Sequence, residues 1–403
     1  MTLPIWPFPP DWSNEFRVSY EFKTEVITSR SGKEQRRADR AVPRIDAEFS
    51  AIVMEYAFRS MLGLLAMNQN ALLMMPDWSS ATALSDQANA GATTVYLDDS
   101  PDWLSVGMDV AFIWGEPGEV MHEQAVIASI GTGSIVLTAA LSKDVPADAY
   151  AYRTWQGTMS TETTSKMHGD RMSEVSVKFS VDPGFEKQPS AGSAPLTYQG
   201  RELFMLEPNW QNDISVDFAT ILNTVDYGHG RIGYERPVAF NSRKVQFTYL
   251  ATERQSAFDF RNFFLRLYGQ QGEFFMPTFT EDLRLRANTA SGVNQLRVLG
   301  ADIAANFAGS TVYGNIVIFY TDDTHDLHQV TSISTVTDSL GADSVLHISP
   351  NTTRAIKLDD VRMVCWLPLW RSITDQIALQ WVTDEIANIG LSLKTIETLG
   401  AET

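Results

Sequence analysis

Alternating apolar and polar residues predict a β-strand near the start of each half of the chain. The alternating apolar positions are Phe16, Val18, Tyr20 and Phe22 in the first half and Ile214, Val216 and Phe218 in the second. A repeat of two residues places these side chains on one face of a strand. Glycine-containing polar turns follow at residues 29–33 and 227–230, and glycine readily adopts tight-turn backbone. Each half is therefore predicted to begin with a hairpin.

A second strand and then a helix follow in each half. The strands are predicted at residues 45–53 and 245–250. Apolar residues then recur with helical spacing at Phe58, Met61, Leu62 and Leu65, and again at Phe260, Phe263, Phe264 and Leu267. This i, i+3, i+4, i+7 spacing puts four large side chains on one helical face. We expect one helix per half to pack against a sheet.

The two halves also share short motifs in the same order. Pro10-Asp11-Trp12 recurs as Pro208-Asn209-Trp210, and Met75-Pro76-Asp77-Trp78 recurs as Met276-Pro277-Thr278-Phe279. Together with the helical quartets, these matches are separated by about 200 residues and indicate a tandem duplication. Two similar modules in one chain are typical of a building block of a symmetric assembly.

Each half continues with short β-rich runs broken by Gly, Asp and Asn. These runs lie at residues 94–97, 110–114, 125–130 and 135–137, and at residues 295–298, 316–320, 330–333, 345–348 and 361–366. Four or five short strands at this spacing predict a small β-barrel or sandwich. Alternating strands at residues 175–179 and 391–396 close each half. If they return to the first sheet, each small barrel is an insertion.

The predicted fold is mainly β (α+β), with two tandem β-sandwich domains, each carrying a flanking helix and an inserted β-barrel. The predicted divisions are an arm at 1–15, a first sandwich at 16–84 and 158–182, a first barrel at 85–157, a linker and second arm at 183–212, a second sandwich at 213–286 and 371–399, and a second barrel at 287–370. The Pro-rich, aromatic first arm is expected to become fixed only against a neighbouring chain.

The charge balance argues against nucleic-acid binding. The chain has 403 residues, with 31 basic and 49 acidic side chains and a net charge of −18, which repels nucleic acid. The single cysteine, Cys365, cannot form an internal disulfide, and its apolar neighbours predict a buried thiol. Neither an export signal nor an apolar run long enough for a membrane span is expected.

The sequence offers little for catalysis or metal binding. The nearest approach to a metal cluster is His325 and His328 with Asp322, Asp323 and Asp326, which is equally typical of a loop between strands. Two of Glu162, Asp170 and Glu174, or acids of the first barrel, could supply a carboxylate pair for sugar hydrolysis, but the sequence does not define their separation. The prediction is that the protein has no catalytic residues, no metal and no cofactor.

A basic hairpin stands out in this acidic chain. Residues 17–44 contain eight basic and four acidic side chains. The candidate docking residues near the hairpin tip are Arg30, Lys33, Arg36, Arg37 and Arg40. A basic element suits an acidic neighbour, including the acidic first barrel of another copy. An ordinary exposed turn is the alternative.

Several motifs of the second half carry a family resemblance. They are the turn Thr224-Val225-Asp226-Tyr227-Gly228-His229-Gly230, the strand Asn241-Ser242-Arg243-Lys244-Val245-Gln246-Phe247, the helix at residues 258–267, and Gly272-Glu273-Phe274-Phe275-Met276-Pro277. They resemble the minor tail protein M and distal tail protein family of long-tailed phages. Residues 25–37 are similar to the corresponding opening in phage tail proteins related to gene-transfer-agent baseplates.

The resemblance implies tail-tube-like β-sandwiches that form a ring at the distal end of a phage tail. The implied partners are the tail tube protein, the tape measure protein, the baseplate hub and fibre proteins, with DNA only in transit. The implied location is the virion, after assembly in the host bacterial cytoplasm. Three copies with two sandwiches each would match a six-fold tube, and a hexamer with one sandwich of each copy inside and its twin outside is the competing arrangement.

Two other functions stay open. A receptor- or carbohydrate-binding tail protein would stack exposed aromatic side chains such as Trp103, Trp114 and Trp155 on sugars. A tail-associated hydrolase would need the carboxylates named above.

Overall fold

The fold is mainly β, as predicted. The computed structural model describes residues 3–29, 33–68, 70–99, 103–116, 118–160, 163–183, 194–211, 213–220, 222–235, 241–339 and 341–397. Within these ranges the chain forms 28 β-strands and three α-helices.

The first half contains thirteen strands and one α-helix within the described ranges. They are β1 (Phe16–Glu21), β2 (Thr24–Thr28), β3 (Glu34–Ala38), β4 (Arg44–Met54), α1 (Glu55–Asn68), β5 (Leu73–Pro76), β6 (Thr82–Ala83), β7 (Thr94–Tyr96), β8 (Asp109–Trp114), β9 (Met121–Gly131), β10 (Ser134–Leu137), β11 (Tyr150–Met159), β12 (Thr164–Met167) and β13 (Met172–Val181). A 3₁₀-helix follows β5 at Trp78–Ser80.

The second half repeats the order strand, hairpin, strand, helix. Its elements are β14 (Thr197–Tyr198), β15 (Arg201–Leu203), β16 (Val216–Ala219), β17 (Asn223–Asp226), β18 (Ile232–Glu235), β19 (Ser242–Ala251), α2 (Arg254–Leu267), β20 (Phe274–Phe275), β21 (Gln295–Val298), α3 (Asp302–Phe307), β22 (Asn315–Tyr320), β23 (His325–Asp338), β24 (Gly341–Ser349), β25 (Val361–Trp366), β26 (Leu369–Ser372), β27 (Gln376–Trp381) and β28 (Ala387–Ile396). A second 3₁₀-helix spans Leu358–Asp360.

The strands of the two halves pair in the same order. In the first half the antiparallel order is β12, β13, β4, β1, and in the second it is β27, β28, β19, β16. The match extends to the register, because Val18 opposite Ala47 corresponds to Val216 opposite Val245. In the same way β5, β11 and β13 correspond to β20, β26 and β28.

One further pairing joins the halves. Strand β1 lies antiparallel to β27, with Phe16 opposite Trp381 and Glu21 opposite Gln376. The result is a run of eight antiparallel strands in the order β12, β13, β4, β1, β27, β28, β19, β16. Its buried residues belong to one hydrophobic cluster that includes side chains of both halves.

The remaining strands form two further sets, one in each half. Strands β7, β10, β9, β8, β11 and β6 pair in that order, and a bridge from Leu84 to Leu97 links the two ends. Strands β21, β24, β23, β22 and β25 form the second set. The segment at residues 283–285 bridges both Val364 and Val298, so it links the ends of this set as well.

The amino-terminal arm packs within its own chain. Ile5, Trp6 and Phe8 are buried, Ile5 forms a parallel bridge to Met74, and the Trp6 N–H donates to the Met74 carbonyl at 2.9 Å. The expectation that this arm is fixed only against a neighbour is therefore wrong for residues 5–8. Their apolar side chains find enough buried surface inside the chain. Strand β15 makes the matching parallel contact with β20.

Candidate assembly interface

The predicted docking residues of the basic hairpin do not form one free patch. Lys33 is exposed, while Arg37 is 74% exposed and pairs with Glu25 and Asp39. Arg36 is nearly buried and donates to the Gln270 carbonyl at 2.6 Å. Arg40 donates to the Glu21 carbonyl at 2.8 Å, and Arg30 lies outside the described residues. Three of the five side chains therefore bind within the chain, and of these only Arg37 is also largely exposed.

An ion network fastens this hairpin to the second half. Glu34 accepts from Arg36 and from Lys394 and lies 3.4 Å from Arg371. Arg371 also pairs with Glu273 at 3.1 Å. Burial alone would raise the pKa of Glu34, but the hydrogen bonds from Lys394 and Arg36 hold that pKa below its ordinary value. The charged form of Glu34 therefore stabilises the contact between the halves.

Asp375 makes the most specific polar contact at the junction. Its carboxylate accepts from the Thr24 N–H at 2.6 Å, from the Thr24 hydroxyl at 2.8 Å and from the Gln270 N–H at 2.9 Å. The Asp375 carbonyl accepts from the Phe22 N–H at 2.8 Å. One residue thus ties the end of β1 to the start of β27 and to the end of α2. No pattern in the sequence points to Asp375, because an isolated aspartate in a short turn carries no signal.

A second buried contact joins the first half to α2. Arg153 donates to the buried Asp77 carboxylate at 2.6 Å, and its guanidinium lies 5.9 Å from the Phe258 ring of α2. The Trp103 ring lies 4.8 Å from that of Phe258 on α2. A buried ion pair requires both partners, since a lone buried charge is strongly unfavourable. The two halves therefore pack directly against each other and are not independent domains.

The eight-strand run ends in two open edges. Among the described residues, β12 pairs only with β13, and β16 pairs only with β19. Unpaired edge strands present N–H and C=O groups that can bind another strand. Phe218 on β16 is 67% exposed, and Met167 on β12 is 63% exposed. Across the described part of the chain, both edges therefore combine backbone groups that lack a strand partner with large exposed apolar side chains.

The hairpin next to β16 adds to this apolar surface. The exposed apolar residues on and beside β17 and β18 are Leu222, Val225, Tyr227, Ile232 and Tyr234. The corresponding hairpin of the first half exposes only Val26 and Ile27 among its described large apolar side chains, and it packs on the second half through Arg36. At the β12 end, Met67 and Leu72 near the end of α1 are also exposed. Several exposed apolar side chains on one hairpin are typical of a surface that binds another protein.

Among the described residues, those considered for metal binding do not form a metal site, and Asp170 and Glu174, considered for sugar hydrolysis, lie beside basic side chains. Within the described ranges, no group of three or more His, Cys, Asp or Glu side chains is arranged to hold a metal ion. His328 is buried, with its Nδ1 2.9 Å from the Pro350 carbonyl. Glu174 lies 4.0 Å from Lys166 and 3.7 Å from His168. Asp170 lies 3.9 Å from Arg171, and Glu162 is outside the described residues.

Two of the tryptophans considered for sugar stacking are not available. Trp103 and Trp155 are buried in the core, as tryptophans in β-rich segments usually are, so the sugar-binding alternative lacks these two rings. Trp114 is partly buried. The prediction of a buried thiol is confirmed: Cys365 is fully buried, and burial raises its pKa to about 12.

Neither a scan against protein-family models nor a search of curated proteins finds a match to this chain. Across the described residues, no helix combines the length and the apolar composition needed to cross a membrane.

Proposed function

We propose that this protein is a structural component of a phage tail tip or baseplate. In this role it forms a ring that joins the distal end of the tail tube to the hub and receptor-binding proteins, and it has no catalytic activity. The tail tube, tape measure, hub and fibre proteins are its proposed partners in the virion. The motif resemblance at residues 224–277 motivates the proposal.

The observation that carries the proposal is the eight-strand run with two open ends. Two four-strand sets with the same order and register are already joined edge to edge by β1 and β27. A module that pairs with its own duplicate and leaves both outer edges open is suited to further edge-to-edge assembly. A one-site enzyme needs neither the repeat nor the open edges.

The finer proposal for the fold is two tandem tail-tube-like β-sandwiches, each with an inserted barrel. The support is the matched strand order of the two halves and the bridges that link the ends of each inserted set. The linked ends leave few exposed edges. This arrangement leaves β12 and β16 as the edges best placed for assembly.

Passage of DNA fits the charge of the chain. A protein with a net charge of −18 does not gain the counterion release that holds DNA on basic surfaces. DNA would therefore cross a ring of this protein without being retained. The proposed stoichiometry is three copies with six similar domains, and six copies remain the competing arrangement.

Native mass spectrometry with negative-stain imaging of the purified protein tests the proposal. The expected result is a closed ring with a central hole and a mass of three chains, whereas six chains would favour the competing arrangement. A stable monomer at high protein concentration, both alone and with the tail tube protein, would contradict the ring. The carbohydrate-binding alternative has weaker support, because Trp103 and Trp155 are buried.

A further inference from the structure

The open edges of the chain occupy the same places in the repeat as the two strands of the internal junction. Strand β16 corresponds to β1, since Val216 opposite Val245 repeats Val18 opposite Ala47. Strand β12 corresponds to β27, since Met167 opposite Ser173 repeats Trp381 opposite Ala387. Strands β1 and β27 pair with each other inside the chain, but β16 and β12 lie at opposite ends of the run.

Side-chain burial differs between the corresponding positions. Tyr20 on β1 is 2% exposed, whereas Phe218 in the same place on β16 is 67% exposed. Trp381 on β27 is fully buried, whereas Met167 in the same place on β12 is 63% exposed. Tyr20 and Trp381 lie on the two paired strands of the internal junction, and the Trp381 ring packs 5.8 Å from Phe258 on α2. A matching neighbour at each open edge would remove Phe218 and Met167 from water, which is favourable.

We infer that β16 of one copy pairs antiparallel with β12 of a second copy, in the register of the internal junction. The internal junction places Ser19 opposite Ala378 and Val18 opposite Leu379. The same register between copies places Asp217 opposite Thr164 and Val216 opposite Ser165. Backbone hydrogen bonds along both strands would satisfy the groups now open at the two edges. Each copy has one edge of each kind, so the contact is head-to-tail and repeats from copy to copy.

The hairpins support the same contact independently. Phe22 follows β1, and its ring lies 6.0 Å from Phe264 and 5.8 Å from Tyr268 at the end of α2. The helical quartets place α1 in the position of α2. In the inferred contact, the hairpin of β17 and β18 would therefore lie over the end of α1 in the second copy. Exposed Leu222, on the hairpin side, and Met67, on the helix side, would both lie at this contact.

The inference deepens the proposed function and rests on it only for closure into a ring. Strand pairing between copies could also yield an open filament, because a head-to-tail contact closes only if its rotation permits. Pairing and closure are therefore separate outcomes.

Cysteine cross-linking of the full chain tests the register. A chain carrying both Asp217→Cys and Thr164→Cys should form disulfides between copies under mild oxidation, because directly opposed strand residues lie within disulfide reach. Non-reducing electrophoresis should show dimers and larger multiples. The matched control carries Asp217→Cys and Ser165→Cys, and should cross-link about tenfold less, because neighbouring residues face opposite sides of a strand.

A second control checks that the oxidation works. Ser19→Cys with Ala378→Cys places the same chemistry at the internal junction and should give a disulfide within each chain. If this disulfide forms and the Asp217–Thr164 positions give no cross-link between copies, the inference is wrong. Equal cross-linking of the Ser165 control would also overturn it, because random collision would then explain the bonds.

Disruption of the contact gives an independent test. Phe218→Lys should lower the fraction of assembled chains about tenfold or more, because it removes an apolar side chain that the contact would bury. Tyr96→Lys, at an exposed site on β7, should leave assembly unchanged. Cross-linked open filaments without rings would support the strand pairing and refute the proposed ring. Closed rings in which the cross-link does not form would support the proposed ring and refute the pairing of β16 with β12.

Discussion

The open edges β16 and β12 occupy the same positions in the repeat as β1 and β27 of the internal junction, but β1 and β27 have a neighbouring strand on both sides and, within the described residues, the open edges have one on one side only. Where β1 and β27 pair, Tyr20 and Trp381 are buried, whereas Phe218 and Met167 at the edges are exposed. The four-strand set is therefore not self-sufficient, since each of its outer strands needs a neighbour to bury its apolar face. The duplication supplies that neighbour once per chain, where β1 pairs with β27, and leaves β16 and β12 without one.

The polar contacts of the two positions differ more than the apolar ones. Asp375 locks the internal junction through Thr24 and Gln270. The residue at the corresponding place before β12 is Thr161, which lies outside the described residues and carries no charge. A junction between copies would thus lack this carboxylate. We expect it to be weaker than the internal junction and to depend on protein concentration.

Replacement of Trp381 should have the largest effect on stability. Trp381→Ala should lower the free energy of unfolding by about 3–5 kcal/mol, because it removes a large buried ring and leaves a cavity. Met167→Ala, at the corresponding exposed position, should change it by less than about 0.5 kcal/mol in the monomer. Urea unfolding at low protein concentration measures both. Similar losses for the two variants would contradict the distinction between covered and uncovered positions.

Asp375→Asn should weaken the internal junction by a smaller amount. The amide cannot accept at both former oxygens, so part of the bonding to Thr24 and Gln270 is lost, at about 1–3 kcal/mol. Thr24→Val removes a single hydroxyl and should cost about 0.5–1.5 kcal/mol. Hydrogen exchange at the Thr24 and Gln270 amides should accelerate in Asp375→Asn. Unchanged exchange at both amides would show that the carboxylate does not hold the junction together.

Periodicity predicted the regular parts of this fold well. The long alternating segment predicted at residues 45–53 is β4, and the helical quartet of the second half lies on α2 with all four side chains buried. These elements bury one face against a large core, so their apolar spacing is visible in the sequence. The final strands at residues 175–179 and 391–396 pair with β4 and β19, as expected if they return to the first sheet.

Sequence patterns did not predict the short strands or the pairing of the sheet edges. Strand β12 has only four residues and mostly exposed side chains, so it carries no apolar alternation. Strand β27 was also missed, although its Ile377, Leu379 and Trp381 do alternate. Which strand of one half meets which strand of the other depends on long-range packing, and local patterns do not encode it. The basic hairpin was visible as charge, but not the turn of Arg36 toward Gln270.

Acid should loosen the internal junction through Glu34. The folded state holds the pKa of Glu34 below its ordinary value of 4.5, so folding is favoured by the charged carboxylate. This contribution is fully present above the unfolded pKa and is lost as the pH falls through the lower folded pKa. Glu34→Gln should therefore be less stable than the parent at neutral pH and should lose less stability between pH 5 and acid, both measured by urea unfolding. A constant difference across this range would contradict the assignment.

The exposed side chains of the basic hairpin, Lys33 and Arg37, should have the smallest effect on stability and should act mainly on assembly. Lys33→Ala with Arg37→Ala should change the free energy of unfolding by less than about 0.5 kcal/mol, because exposed ion pairs contribute little. If the hairpin docks an acidic neighbour, the same variant should assemble more weakly at low salt and respond less to added salt. Lys357→Ala, which removes an exposed charge from the second inserted set, is the control. Equal assembly of both variants at low salt would leave Lys33 and Arg37 as ordinary solvent-facing charges and would restrict the contact between copies to the strand edges.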